Sequence, residues 1–154
     1  MERVLEAVAG ALRKETSIRD VVVVRHLQDP PTDMRLPFIG LKDGQARFDR
    51  LKERTATIEE GRISIYLYVA TNTGQASHGI TGTEGILALA DAIRERLEDN
   101  QLYSTMDTEK PLSQPLLAGY IVSKSSSQAG KYAGVGDTQV MELVYGYERY
   151  VAEV

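Results

Sequence analysis

With 154 residues, a net charge of −4 and no cysteine, the chain suits one domain and excludes disulfide staples and thiolate metal sites. Two histidines leave little for a nitrogen-rich metal site, and the acidic balance argues against a dedicated nucleic-acid binder. The longest apolar run, Val21 to Val24, is far short of the ~20 residues a membrane span needs, and no signal-peptide pattern opens the chain. Synthesis in a cytoplasm, without a membrane partner, is therefore expected.

In chain order, residues 2 to 14 predict an amphipathic helix, with Val4, Leu5, Val8, Ala11 and Leu12 at helical spacing. Val21 to Val24 is a run of β-branched residues and predicts a buried strand, ended by Pro30-Pro31. Leu36 to Leu41 predicts a second strand, with Pro37 at its start and Asp43-Gly44 as a turn after it. The charged stretch of about 43–61 then predicts a protruding arm or loosely paired hairpin, in which Glu59-Glu60 is a solvated turn. Arg62 to Ala70 is the clearest strand, because Ile63, Ile65, Leu67 and Val69 alternate with Arg62, Ser64, Tyr66 and Tyr68. Residues 71 to 82 have loop composition, and Thr81 and Glu84 have capping-box spacing ahead of the stripe Ile86, Leu89, Ala90, Ile93 and Leu97. After a proline-punctuated loop comes a strand from Leu116 to Ser123, and the serine- and glycine-rich 123–137 predicts a long mobile loop. A long strand from Thr138 to Val151 closes the chain. The expected fold is therefore α+β: one domain over residues 1–154, with a mixed, largely antiparallel sheet of four to five strands and two main helices on one face.

Two helices cover one face of such a sheet and leave the other to a partner. Eight tyrosines against two phenylalanines fit half-wet surfaces of that kind. Tyr66 and Tyr68 lie opposite the alternating apolar set, and the final strand carries apolar residues on both faces. The next copy of the chain is expected to touch Tyr145, Tyr147 and Tyr150 on that strand, or the 123–137 loop with Tyr132. On this basis a tyrosine-to-alanine set at 145, 147 and 150 leaves the monomer folded but unassembled. Arg47, Phe48, Arg50 and Arg54 of the charged arm complete the candidate interface.

Several patterns resemble reactive sites and are read more plainly. Gly79 to Gly85 stands at a helix start, but it lacks the lysine of a phosphate loop, and Glu84 repels an anion. Arg47, Arg50, Lys52 and Arg54 are offset by Asp49, Glu53, Glu59 and Glu60, which favours a solvated arm over a DNA contact. His78 has no nucleophile or paired carboxylate at a telling spacing, and His26 beside the valine run reads as structural or exposed. No catalytic residue, metal ligand or cofactor is assigned.

The arrangement resembles the tail terminator, or tail-completion, proteins of long-tailed bacteriophages. The resemblance lies in the opening helix, the segment LPFIGL entering a charged arm, RISIYLYVATNT leading through a polar loop into GTEGILALADAIRERL, and QVMELVYGYERYV after the last polar loop. It implies a small α+β subunit of a hexameric ring that caps the tail tube, stops its polymerisation and joins the tail to head-side neck proteins. The implied partners are copies of itself, the tail tube protein and a neck or connector protein, with DNA as cargo in the lumen. The implied location is the virion tail or neck, after assembly in the host cytoplasm. Other neck or head-completion proteins share similar patterning. A small ligand-binding domain or enzyme using the 71–85 loop is the reading from a different class.

Overall fold

A computed structural model describes residues 2–15, 18, 21–25, 36–50, 56–71, 82–98, 116, 118–132 and 136–152. The elements are α1 (Glu2–Lys14), β1 (Val22–Arg25), β2 (Phe38–Arg50), β3 (Ala56–Ala70), α2 (Gly82–Glu98), β4 (Ala118–Lys124), β5 (Gln128–Tyr132) and β6 (Gly136–Ala152). The sheet runs β1-β2-β3-β6-β4, and β5 pairs farther along β6 as a short sixth strand. Among the described strands, only the β1–β2 pair is parallel. The expected α+β class, with two helices and a mostly antiparallel sheet, is the class observed.

The main core forms where the periodic stripes meet. On α1, Val4, Leu5, Val8 and Leu12 are at most 1% exposed, and on α2 Ile86, Leu89, Ala90, Ile93 and Leu97 are at most 3% exposed. They pack on Ile63, Ile65, Leu67 and Val69 of β3, all fully buried, and on Met141 and Leu143 of β6. Burying an aliphatic side chain of this size stabilises by roughly 1.5–3 kcal/mol, so these stripes decide which face the helices cover. Arg96 fixes one helix against the other, its Nε donating to the Ala11 carbonyl at 3.1 Å in the last turn of α1. Gly82 opens α2 with φ of 63°, a left-handed conformation that glycine adopts without steric cost. Thr81, the other half of the expected capping box, lies outside the described residues.

Three expectations need correction. First, Asp43-Gly44 is not a turn. It lies inside β2, at a register shift between Asp43 and Ala46 against β3. A Cβ on Gly44 would come within 2.5 Å of the Arg62 carbonyl oxygen, so glycine marks a bulge with close backbone approach.

Second, the described parts of the charged arm, 45–50 and 56–61, are not loosely paired. β3 pairs with β2 from Thr57 to Gly61 on one side and with β6 from Ala56 to Gly61 on the other. Pairing on both sides of β3 overrides the weak strand preference of its charged sequence.

Third, 123–137 is largely strand where a long loop is expected. β4 and β5 both pair with β6, separated by a jog at residues 125–127. Ser125 keeps the jog hydrogen-bonded to β6: its N–H donates to the Glu142 carbonyl, and the Glu142 N–H donates to Ser125 Oγ, both at 2.9 Å. The side-chain oxygen takes the place of a ladder carbonyl.

Candidate subunit interface

The sheet continues beyond the helices. Among the described residues, the main core takes nothing from β2 beyond Leu41 or from β3 before Ile63. The extension is built from Ala46–Arg50, Thr57–Gly61 and Tyr147–Val151, in register across three strands.

Two tyrosines expected at the interface instead anchor the inside of this region. Tyr145 and Tyr147 are 0% and 2% exposed and belong to the main core. Parity explains it: Tyr145 pairs with fully buried Ile63, on the same face as Met141 and Leu143. Each ring lies over a glycine on a neighbouring strand. A Cβ on Gly119 would stand 2.1 Å from the Tyr145 hydroxyl oxygen, and one on Gly61 would stand 2.3 Å from that of Tyr147. Burial pushes both phenols well above their ordinary range, and for Tyr147 the nearby Glu59 adds to it.

Glu59 also differs from expectation: it is 1% exposed and not a solvated turn. Its carboxylate accepts the Tyr147 hydroxyl at 3.0 Å and is ion-paired with Arg149 Nε. Burial raises the Glu59 carboxyl, but the hydrogen bonds and positive charge around it, those of Arg149 foremost, leave it below its ordinary value. Gly61→Ala is expected to push the Tyr147 ring off Glu59 and to cost about 1–3 kcal/mol, the usual penalty for overpacking. Urea denaturation of the variant checks this.

On the face away from the helices, the two ends of the sheet differ. At one end Leu36, Phe38, Tyr68 and Ala70 form a small buried cluster, with Tyr68 4% exposed and its ring edge-on to Phe38 at 5.8 Å. Tyr68 is therefore packed within its own chain and is not part of the bare surface expected for it. Tyr66 is half-buried, its hydroxyl raised first by burial and then by a hydrogen bond with Glu142.

At the other end lies a groove of about 620 Å3, lined by residues that include Arg47, Glu60, Arg62, Tyr120, Val122 and Glu148. Arg47 pairs with Glu60 at 2.8 Å across its wall. Tyr120, Val122 and Tyr150 are exposed on this side, while Phe48 is 60% exposed on the helix-side face of the same extension. Arg50 is exposed near the end of β2. Arg54, Lys52, Glu53, His26, His78 and the Tyr132 side chain lie outside the described residues, as does 72–81 of the 71–85 loop.

The structure thus gathers Arg47, Phe48, Arg50 and Tyr150 on one extension and removes Tyr68, Tyr145 and Tyr147 from the surface. It adds Tyr120 and Val122, which sequence reasoning passed over. The Leu116 to Ser123 strand was legible, but its outward face is fixed by pairing with β6 and by a shift between Ile121 and Ser123. Among the described residues, no group of three or more His, Asp or Glu could hold a metal ion, and no helix is long and apolar enough to cross a membrane.

The fold defines an α+β chain with two helices on one face of a mixed, mostly antiparallel sheet. No family model matches the sequence, and no curated protein matches it. Among solved structures, a chain from the virion of a native gene transfer agent particle shares the fold with a TM-score of 0.57 at 13% identity, covering 96% of this chain and 95% of that one.

Proposed function

We propose that the protein is a structural subunit of a phage-like virion, and within it the tail terminator: a ring that caps the tail tube, stops its elongation and joins the tail to the head-side neck. The observation that carries this reading is the fold shared with a virion chain along nearly the whole of both chains. The open end of the sheet supports it. There, exposed aromatic side chains stand on both faces of an extension that the helices leave bare, as expected of a subunit that completes its packing against other proteins.

The partners are copies of itself in a hexamer, the tail tube protein and a head-side connector. DNA passes through the lumen as cargo, and the net charge of −4 is compatible with passage without sticking. The role is non-enzymatic, carried in the tail or neck after assembly in the host cytoplasm.

The test is to mix the purified protein with polymerising tail tube protein and image the products. Tubes of limited length, each ending in a ring, are expected. Tubes that grow to the same length with and without it would overturn the terminator role. Binding to the head-side connector but not to tubes would move the assignment to another neck or head-completion protein.

A further inference from the structure

The two edges of the sheet carry the same kind of cover. Among the described residues, no strand pairs with the far side of β1 or of β4. An open edge is a row of unpaired backbone groups and a template for another strand. At the β1 edge, Arg13 in the last turn of α1 donates from its guanidinium to the Val23 carbonyl at 2.9 Å. At the β4 edge, the Ile121 N–H donates at 3.3 Å to the carboxylate of Glu98, the last residue of α2. A cation thus meets an edge carbonyl and an anion meets an edge N–H, each carried by a helix packed on the sheet.

Local helix chemistry does not account for Glu98. A carboxylate at a helix C-terminus opposes the helix dipole, and an arginine four residues ahead of a glutamate is the weaker order for a helix pair. Arg94 is that arginine, its Nε 3.2 Å from both Glu98 oxygens. The pair holds the carboxylate in place, and the group it serves lies outside the helix, on β4. The rest of the rim is blunted as well. β1 has four residues, and β4 has a register shift between Ile121 and Ser123 and ends on exposed Lys124. Beyond Leu41, where β1 stops pairing, β2 carries its own bulge and charged side chains.

We infer that Arg13 and Glu98 are edge guards, which stop the strands of a second copy from adding to β1 and β4. An incoming strand would have to displace a charge-assisted hydrogen bond and leave the displaced charge beside its own backbone. Joining by these edges is thereby closed off, whether or not the chain forms a ring.

Glu98→Ala removes the acceptor and adds no apolar surface that could associate by itself, whereas Glu98→Gln keeps an oxygen for the Ile121 N–H. At a concentration where the parent chain sediments as a monomer, Glu98→Ala is expected to shift to a dimer, because one opened edge pairs with its like about a two-fold axis. Glu98→Gln is expected to sediment with the parent. Arg13→Ala/Glu98→Ala, with both edges open, is expected to go on to larger multimers. Hydrogen exchange of the Ala118–Lys124 amides in Glu98→Ala should slow as concentration rises, which locates the contact on β4. Glu98 is exposed, so circular dichroism of its variants should match the parent, and Glu98→Ala alone decides if the double variant does not fold. A folded Glu98→Ala that stays monomeric would overturn the inference, as would a dimer whose β4 amides exchange as they do in the parent.

Discussion

Tyr145→Ala is expected to destabilise the protein by roughly 3–5 kcal/mol, as large-to-small changes at buried aromatic residues do. The ring is fully buried, packs in the main core opposite Ile63, and fills the space that Gly119 leaves on β4. Its removal opens a cavity shared by β3, β4 and β6. At about 2–4 °C per kcal/mol for a chain of this size, the midpoint of thermal unfolding should fall by about 10 °C. Tyr150→Ala, on the same strand but 47% exposed, should change stability by no more than about 0.5 kcal/mol. Differential scanning calorimetry of the two variants checks both. Equal effects would mean that the assigned faces of β6 are wrong.

Arg149→Met is the second large change. It leaves the Glu59 carboxylate, 1% exposed, without its guanidinium partner, and breaking a buried pair from one side costs on the order of 3–5 kcal/mol. Because Arg149 is itself partly exposed, the lower end of that range is expected. The pH dependence gives a sharper signature. Glu59 sits below its ordinary value of 4.5 in the folded chain, so its stabilisation is present above that value and is lost as pH falls through the folded value. In Arg149→Met, the upward push of burial acts with less opposition, and protonation then relieves a buried charge. The stability gap between parent and variant should therefore narrow as pH falls through the carboxylate range, measured by urea denaturation from neutral pH downward. A gap constant with pH would mean that Arg149 acts through packing alone.

The parts of the fold that were legible in sequence are those where one face is apolar and the other polar. The alternation from Ile63 to Val69 and the stripe from Ile86 to Leu97 each fixed an element type and its buried side, and every one of their apolar members is at most 3% exposed. The charged ends of β2 and β3 were not legible, because Arg47, Asp49, Glu59 and Glu60 carry no hydrophobic period. Their strand character comes from pairing: the end of β2 pairs with β3, and the end of β3 pairs also with β6, more than 80 residues away.

Tyr145 and Tyr147 of β6 are buried where an exposed surface is expected, for a related reason. The odd-numbered set Met141, Leu143, Tyr145 and Tyr147 is uniformly apolar or aromatic, while the interleaved Glu142, Val144, Gly146 and Glu148 are mixed, so the alternation is only partial. What no single strand could show is the matching of each ring to a glycine on another strand, Tyr145 to Gly119 and Tyr147 to Gly61. The candidate interface was legible where the charged arm carries Phe48 and at Tyr150, and illegible at Tyr120 and Val122, whose outward direction depends on the register of an edge strand.

In the assembled particle, the bare end of the sheet is expected to be a joining surface. A cryo-EM map of the protein bound to its tail tube measures this directly. A ring at the tube end, with Phe48, Tyr120 and Tyr150 enclosed by protein on both faces of the extension, is the expected result. A bound protein whose extension projects into solvent on both faces would contradict it.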